Sequence, residues 1–562
     1  MKSGYSTAQG PAVMRFKPRI EEMGGEEDVR AEEAGTPFFS RLRQYVARDL
    51  DAWHTPGHSG GESFRNSASA AGFARFMSKS LFESDLSVSV DELDSLLEPC
   101  GVIAEAQRLA AQTFGARRSY FVTNGSSTSN KIILQALIQP GDKLLLDRNS
   151  HMSAHQGMFL AGARPVYLNS SSNGKYGLFG PIPKRAIFAA LDTHPDARAL
   201  FLTSCTYDGL RYDLAPIIEH AHARGIKVVV DEAWYAHARF HPELRPTGLE
   251  CGADYVTHSI HKMLSAFSQA SLIHVNDPDF DERRFLSSYS LHTSSSPSYP
   301  IIASIDMARH QMDVEGASLL ARTLDDAQAF RRAVRRIDGL RPLGLQDLLS
   351  PEVAMDGVRL DPTKVTIDTS GTGHPAESIK AALLKNHGIQ VEKCTANTLT
   401  VLFTVGTTRA KAARLLWALR AVAASAKMER AREPAAARAP RVPDIGAFHC
   451  LPRDAHFQRG EALPLFDARE ALNLGLVGRV AAEMVIPKPP GIPVLIPGQV
   501  IDEAVLSYLA QLLRSQPGLK VLGLRTATGG GKGVVVLTAE EMASVPRSDR
   551  LSVIRATRPS TR

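Results

Sequence analysis

Over residues 51–315, short apolar runs alternate with helix-spaced patterns. KLLLD (143–147), ALFLTS (199–204) and IKVVVD (226–231) are apolar at successive positions. Such runs fit strands covered on both faces better than strands with one wet face. Between the last two lies LAPIIEHAHARG (214–225), whose apolar positions recur at helical spacing and whose final glycine supplies a stop. Strand, helix, strand in that order predicts an α/β fold on a doubly wound, mostly parallel sheet. Sheets of this kind bind ligands beyond the carboxyl ends of their strands. Past residue 315 the pattern changes. A long helix is predicted at about 316–337, inside a smaller α+β domain at 316–427. MERAREPAAARAP (428–440) is charged and rich in alanine and proline, so 428–445 read as a linker. A C-terminal domain, 446–562, contains PKPPGIPVLIPG (487–498). At the other end, residues 1–45 read as a flexible arm, with Glu21, Glu22, Glu26, Glu27, Asp28, Glu32 and Glu33 set among glycines. The large domain is then 46–315.

Composition narrows the class. The 562 residues are 44% hydrophobic and 22% charged, as in ordinary soluble proteins. No apolar run approaches the length of a membrane span, and the N-terminus lacks the apolar core of a secretory signal. The five cysteines (Cys100, Cys205, Cys251, Cys394 and Cys450) are odd in number and form no CxxC pair. This argues against a disulfide framework and against a metal site, and for a reducing cytoplasm. The net charge of +6 is mild. Its excess lies partly at Arg547, Arg550, Arg555, Arg558 and Arg562, a solvated tail. No cluster of basic residues interleaved with aromatics suggests nucleic acid as a partner.

The candidate chemistry sits at predicted strand ends. Asp231 closes VVVDEAW, so its carboxylate emerges at the binding edge. Alone it reads equally as a helix cap. Lys262, in SIHKMLSAFSQAS, alone reads as a surface lysine. Together the two suit pyridoxal phosphate (PLP): the lysine amine forms a Schiff base with the cofactor aldehyde, and the carboxylate pairs with the protonated ring nitrogen. The phosphate needs an anion site. FVTNGSSTSNK (121–131) follows a strand-like SYF and opens a helical stretch. Gly125, Ser126 and Ser127 there offer backbone N–H groups and hydroxyls at a helix N-terminus. His151, in LLDRNSHMSAHQG (145–157), stands just past another strand end, where it could stack on the ring. TGGGKG (528–533) lacks the spacing and the Ser/Thr of a Walker loop.

The chain resembles the fold-type-I, PLP-dependent ornithine/lysine/arginine decarboxylases of bacteria, over about residues 50 to 500. The resemblance rests on HTPGHSGG (54–61), FESDLSVSVDELDSLLEP (82–99), VTNGSSTSNK (122–131), DRNSHMS (147–153) and TYDGLRYDL (206–214). It continues through DEAWYAHARF (231–240), HSIHKMLSAFSQAS (258–271), HTSSSPSYPIIASID (292–306), DPTKVTI (361–367), GIQVEK (388–393) and PPGIPVLIPG (489–498). It implies an aspartate aminotransferase-like α/β fold with smaller α+β C-terminal domains. Lys262 is then the Schiff-base lysine and Asp231 the ring-nitrogen partner. Ala233 packs under the ring and His151 stacks on it. Gly125, Ser126, Ser127 and Ser259 hold the phosphate, with His261 beside it and the lysine. Ser294 and Ser295 resemble the segment that reaches the neighbouring subunit's phosphate, which implies a homodimer, or an oligomer of dimers, with shared sites. Glu392 resembles the acidic residue near the substrate's distal cation. The resemblance implies decarboxylation of arginine, lysine or ornithine, with Lys262 or His261 returning a proton to Cα. The chain departs from the family pattern at Ser59, Ser150, Met152, Lys488 and Gln499, and none of these is a cofactor ligand. The wing domain of the acid-stress members is absent before HTPGH, so the wingless type is expected. Two other readings are an aminotransferase, which shares the fold, the lysine and the aspartate, and a non-catalytic partner of an active decarboxylase, for which an intact Lys262 and Asp231 would serve no purpose.

Overall fold

The computed structural model describes residues 35–429, 440, 442–466, 472–488, 491–516, 518–527, 530–548 and 553–554. The acidic stretch at 21–33, most of the expected linker, and Arg550, Arg555, Arg558 and Arg562 lie outside them.

Seven strands build the main sheet: β1 (Arg118–Val122), β2 (Lys143–Asp147), β3 (Arg164–Leu168), β4 (Ala197–Thr203), β5 (Lys227–Asp231), β6 (Tyr255–Ser259) and β7 (Ser271–Val275). Their order is β1-β7-β6-β5-β4-β2-β3, with the short strand Val553–Ile554 added beside β3. The pairs β2–β3, β2–β4, β4–β5 and β5–β6 are parallel, and β7 runs antiparallel to both β6 and β1. The mostly parallel α/β sheet is therefore the one the alternation predicts. Leu144, Leu145 and Leu146 of β2 and Val228, Val229 and Val230 of β5 are fully buried. Helices cover them, and Ile132 and Leu134, Met158 and Phe159, and Ile217 and Ile218 come from three of these. Each such side chain contributes about 1.5–3 kcal/mol on burial. From β2 the chain goes outward to β3 and then back across to β4, so the strand order reverses there. That reversal opens a crevice at the strand ends.

Three boundaries differ from expectation. The predicted arm ends in a packed helix, Pro37–Ala47: Phe38 is buried in the main core and Leu42 joins it, and the Phe38 and Phe39 N–H groups donate to Asp306. The long helix starts at Tyr299 rather than near 316 and runs to Val334. It crosses the expected domain border as one rod. Residues through Leu324 pack into the main core, and Ala327, Phe330 and Val334 into the second. The end of the expected linker is also packed, since Val442 and Ile445 are buried.

The second core lies under an antiparallel sheet in which Lys364–Asp368 pairs with Thr398–Leu402, backed by the helices Ala376–His387 and Arg409–Glu429. In the C-terminal region, Glu461–Pro464, Leu524–Thr526 and Lys532–Val536 form a three-stranded sheet, packed against the helix Glu503–Ser515. This region reaches back to the large domain. The Arg148 guanidinium, just past β2, donates to the carbonyls of Pro493 (3.1 Å) and Pro443 (3.4 Å). Among the described residues, no helix is long and apolar enough to cross a membrane.

Candidate active site

The carboxyl ends of β1, β2, β4, β5 and β6 converge on a cavity of about 420 Å³. Its walls include Gly125, Ser126, Ser127, His151, Asp231, Ala233, Ser259, His261 and Lys262. Nine predicted residues thus meet in one space. Its size lies within the range of small-molecule sites.

At one end is an anion cup. The helix Gly125–Leu137 begins there and directs its free N–H groups and positive dipole end into it. Gly125 takes the left-handed conformation (φ +75°), and a Cβ added to it would meet none of the described residues within 4 Å, because the cavity lies in front of it. Its own N–H donates to the carbonyl of Gln269 (2.8 Å), itself a left-handed residue. The Ser259 hydroxyl donates to that of Ser126 (2.7 Å). His261 bonds through Nδ1 to the Ala270 carbonyl (2.9 Å). A carbonyl only accepts, so Nδ1 carries the proton and Nε2 keeps a lone pair. Burial lowers the His261 pKa below its ordinary value, keeping the ring neutral at pH 7.

Lys262 lies in a single helical turn, Ile260–Met263, between β6 and the antiparallel β7. Its amine stands 4.4 Å from the ring centroid of Trp234. Burial lowers its pKa to about 8, against the opposing pull of the Asp231 and Glu392 charges. At neutral pH a useful fraction of the amine is therefore unprotonated and nucleophilic. Asp231 ends β5 nearly buried. One of its oxygens accepts from the Ala233 N–H (2.9 Å) and the other from Asn130 Nδ2 (2.9 Å). His151 caps the helix Met152–Ala161, and its Nδ1 accepts the Ser153 N–H (3.3 Å). Burial, reinforced by the charges of Lys262, Lys488 and Lys131, lowers its pKa to about 3. A Cβ on Gly491 would fall 3.1 Å from its ring, so the C-terminal region closes over this histidine.

Glu392 does not line this cavity. Its carboxylate accepts from the Tyr207 hydroxyl, and Tyr207 does line it, edge-on to Trp234 at 4.6 Å. Ser294 and Ser295 lie exposed on a loop and away from the cavity of their own chain. Sequence reasoning missed Trp234, Tyr207, Thr203, Gln269 and Ile492, all in the wall, and Asn130 and Ser153 behind it. Several sit inside the quoted motifs, Trp234 in DEAW and Gln269 in FSQAS, so their proximity was visible while their roles were not. His258, beside the lysine in sequence, serves the core instead, bonding to Glu232 (3.1 Å) and His274 (3.0 Å).

A serine-lined anion cup, a buried carboxylate and a partly neutral lysine facing one space could hold a phosphorylated aldehyde with a cationic ring. Comparison with known proteins places this set. Residues 36–411 match the profile described as Orn/Lys/Arg decarboxylase, major domain, and 468–530 match Orn/Lys/Arg decarboxylase, C-terminal domain. The chain belongs to the Orn/Lys/Arg decarboxylase family. It is thereby a decarboxylase of a basic amino acid. This decarboxylase is 36% identical to lysine decarboxylase LdcA of Pseudomonas aeruginosa, over 85% of this chain and 75% of the relative. It is 31% identical to an arginine decarboxylase of Bacillus subtilis, over 88% and 96%. Among solved structures, the Francisella novicida lysine decarboxylase LdcF superposes with a TM-score of 0.76 at 28% identity, covering 90% of this chain and 81% of that one. Lysine decarboxylase A from Pseudomonas aeruginosa gives 0.74 at 32%, covering 91% and 82%.

Proposed function

We propose that this decarboxylase works with pyridoxal 5′-phosphate held by Lys262, and removes the α-carboxylate of arginine, lysine or ornithine. The observation that carries the reading is the meeting of Lys262, Asp231 and the Gly125–Ser126–Ser127 cup on one cavity. The fit is supported by unsatisfied chemistry as well. Among the described residues, Thr203 Oγ1 in the wall has no hydrogen-bond partner, and the space before Gly125 is open.

In this reading, Ser126, Ser127 and Ser259 hold the phosphate at the helix N-terminus, with His261 beside it. Asp231 faces the ring nitrogen, Ala233 offers a small floor under the ring, and His151 covers the other face. When bound, the cofactor supplies an electron sink for the bond to the departing carboxylate. The chain's own residues then have to deliver a proton to Cα. With a pKa of about 8, Lys262 is mostly protonated at pH 7, with a minor neutral fraction, whereas burial keeps His261 and His151 neutral there. Lys262 is thus the proton carrier. Glu392, held by Tyr207, supplies the anion that a basic side chain needs when it leaves water.

We also infer a dimer with shared sites, in which Ser294 and Ser295 complete the partner's cup. The apolar surface beside these elements supports it: Leu291 is 72% exposed next to the serines, and Phe267 is 54% exposed on the loop that follows Lys262. A reducing cytoplasm suits the five cysteines, all free.

The cofactor reading is tested by loading the protein with PLP, reducing it with borohydride and mapping peptides. Pyridoxyl mass on Lys262 is expected. Mass on another lysine, or none despite binding, contradicts it.

A further inference from the structure

We propose that Asn130 and Ser153 are positioning residues that tie Asp231 to His151 and fix the histidine's proton on Nε2. The inference rests on the roles just given to Asp231 and His151, and goes beyond them.

Asn130, Ser153 and Asp231 are all buried. Asn130 Nδ2 lies 2.9 Å from Asp231 Oδ2 and 3.1 Å from Ser153 Oγ. Ser153 Oγ lies 2.9 Å from His151 Nδ1. The proton directions follow link by link. An ionised carboxylate only accepts, so the atom of Asn130 facing Asp231 has to be its NH₂ group; turning the amide over would set two acceptors against each other. That nitrogen has two hydrogens, one for Asp231 and one for Ser153. The serine oxygen accepts and sends its single proton onward to His151 Nδ1. The Ser153 backbone N–H also points at Nδ1 (3.3 Å). Nδ1 is therefore an acceptor, and the proton of the neutral ring sits on Nε2. That nitrogen is on the side of Gly491, where a Cβ would come within 3.2 Å of it. His261, with its proton on Nδ1, has the opposite tautomer. The cavity thus has one ring that donates through Nε2 and one that accepts through it.

Three elements supply this relay. Asn130 is on the helix Gly125–Leu137, Ser153 on the helix Met152–Ala161, and Asp231 at the end of β5. Gly157 lets the two helices approach: a Cβ there would lie 2.8 Å from Leu134 and 3.3 Å from the Lys131 backbone. The ring-nitrogen partner and the face-covering ring are thereby set by one network.

The test uses the full chain with ring-¹⁵N-labelled histidine, His151 being assigned by its absence in His151→Phe. Without PLP at pH 7, the expected spectrum has His151 protonated on Nε2 and bare on Nδ1. Asn130→Asp, nearly isosteric, replaces the two-proton donor with an acceptor. It should move the Nδ1 resonance, as the serine proton turns away, and weaken PLP binding about ten-fold in a visible-absorbance titration, the size of one hydrogen bond to a charged group. Ser153→Ala, judged folded by circular dichroism, should move the same resonance, and Ser153→Thr should return it. A His151 proton on Nδ1 in the wild type overturns the proposal, as does a folded Asn130→Asp or Ser153→Ala chain with an unmoved resonance. The spectrum is taken without cofactor, so failure of the wild type to bind PLP would sink the functional reading while leaving the relay to be judged on its own.

Discussion

Lys262 owes its chemistry to its neighbours more than to its own side chain. Burial disfavours its charged form, so its pKa falls from 10.5 to about 8. A trace acylating reagent should label it with a midpoint near pH 8; a midpoint near the 10.5 of an unburied lysine would contradict the burial. The same shift has a sign for stability. Between pH 8 and 10.5 the unfolded chain binds more protons at this site than the folded one, so this group's contribution to stability rises with pH across that window. Farther out, Glu392→Gln should raise KM for a basic substrate about ten- to a hundred-fold with a smaller change in kcat, the range for a lost charged hydrogen bond. An unchanged KM would remove Glu392 from substrate recognition. The sequence made the cavity-lining candidates legible because each stands at or just past a strand end with a partner chemistry in view. It left Asn130 and Ser153 unassigned, since a buried amide and a hydroxyl have no role until their acceptors are placed in space.

At the scale of elements, the parallel strands were legible because burial on both faces writes continuous apolar runs. β7, SLIHV, is just as buried, but nothing in five apolar-rich residues tells direction, so the antiparallel return that holds the Lys262 turn emerged only from the pairing. The start of the long helix at Tyr299 was hidden behind Pro300. A proline reads as a breaker, yet it is tolerated in a first helical turn, where its missing N–H is not needed. The close contact of the helices Gly125–Leu137 and Met152–Ala161 gives a test here. Gly157→Val should cost about 1–3 kcal/mol in denaturant unfolding by overpacking and should weaken PLP binding by parting Asn130 from Ser153. Full stability and affinity in that variant would show that the contact is slack.

For the whole molecule, composition and motif order predicted three packed regions, but their borders could not be read from pattern. One helix serves two cores, and Arg148 joins the large domain to the C-terminal region through bonds to backbone carbonyls that carry no sequence signature. The proposed sharing of sites between subunits has a direct consequence. Lys262→Ala and Ser295→Asp chains, each inactive alone, should regain about a quarter of wild-type activity when unfolded and refolded together, because random pairing gives half heterodimers with one sound site each. No recovery would place Ser295 outside the partner's site.

The central claim is decarboxylation at Lys262, and release of labelled carbon dioxide from carboxyl-labelled arginine, lysine and ornithine tests it most directly. With PLP added, release is predicted from at least one of the three by the wild-type protein and from none by Lys262→Ala. A PLP-loaded wild type that releases no carbon dioxide from any of them, or that yields a keto acid instead, would contradict the account.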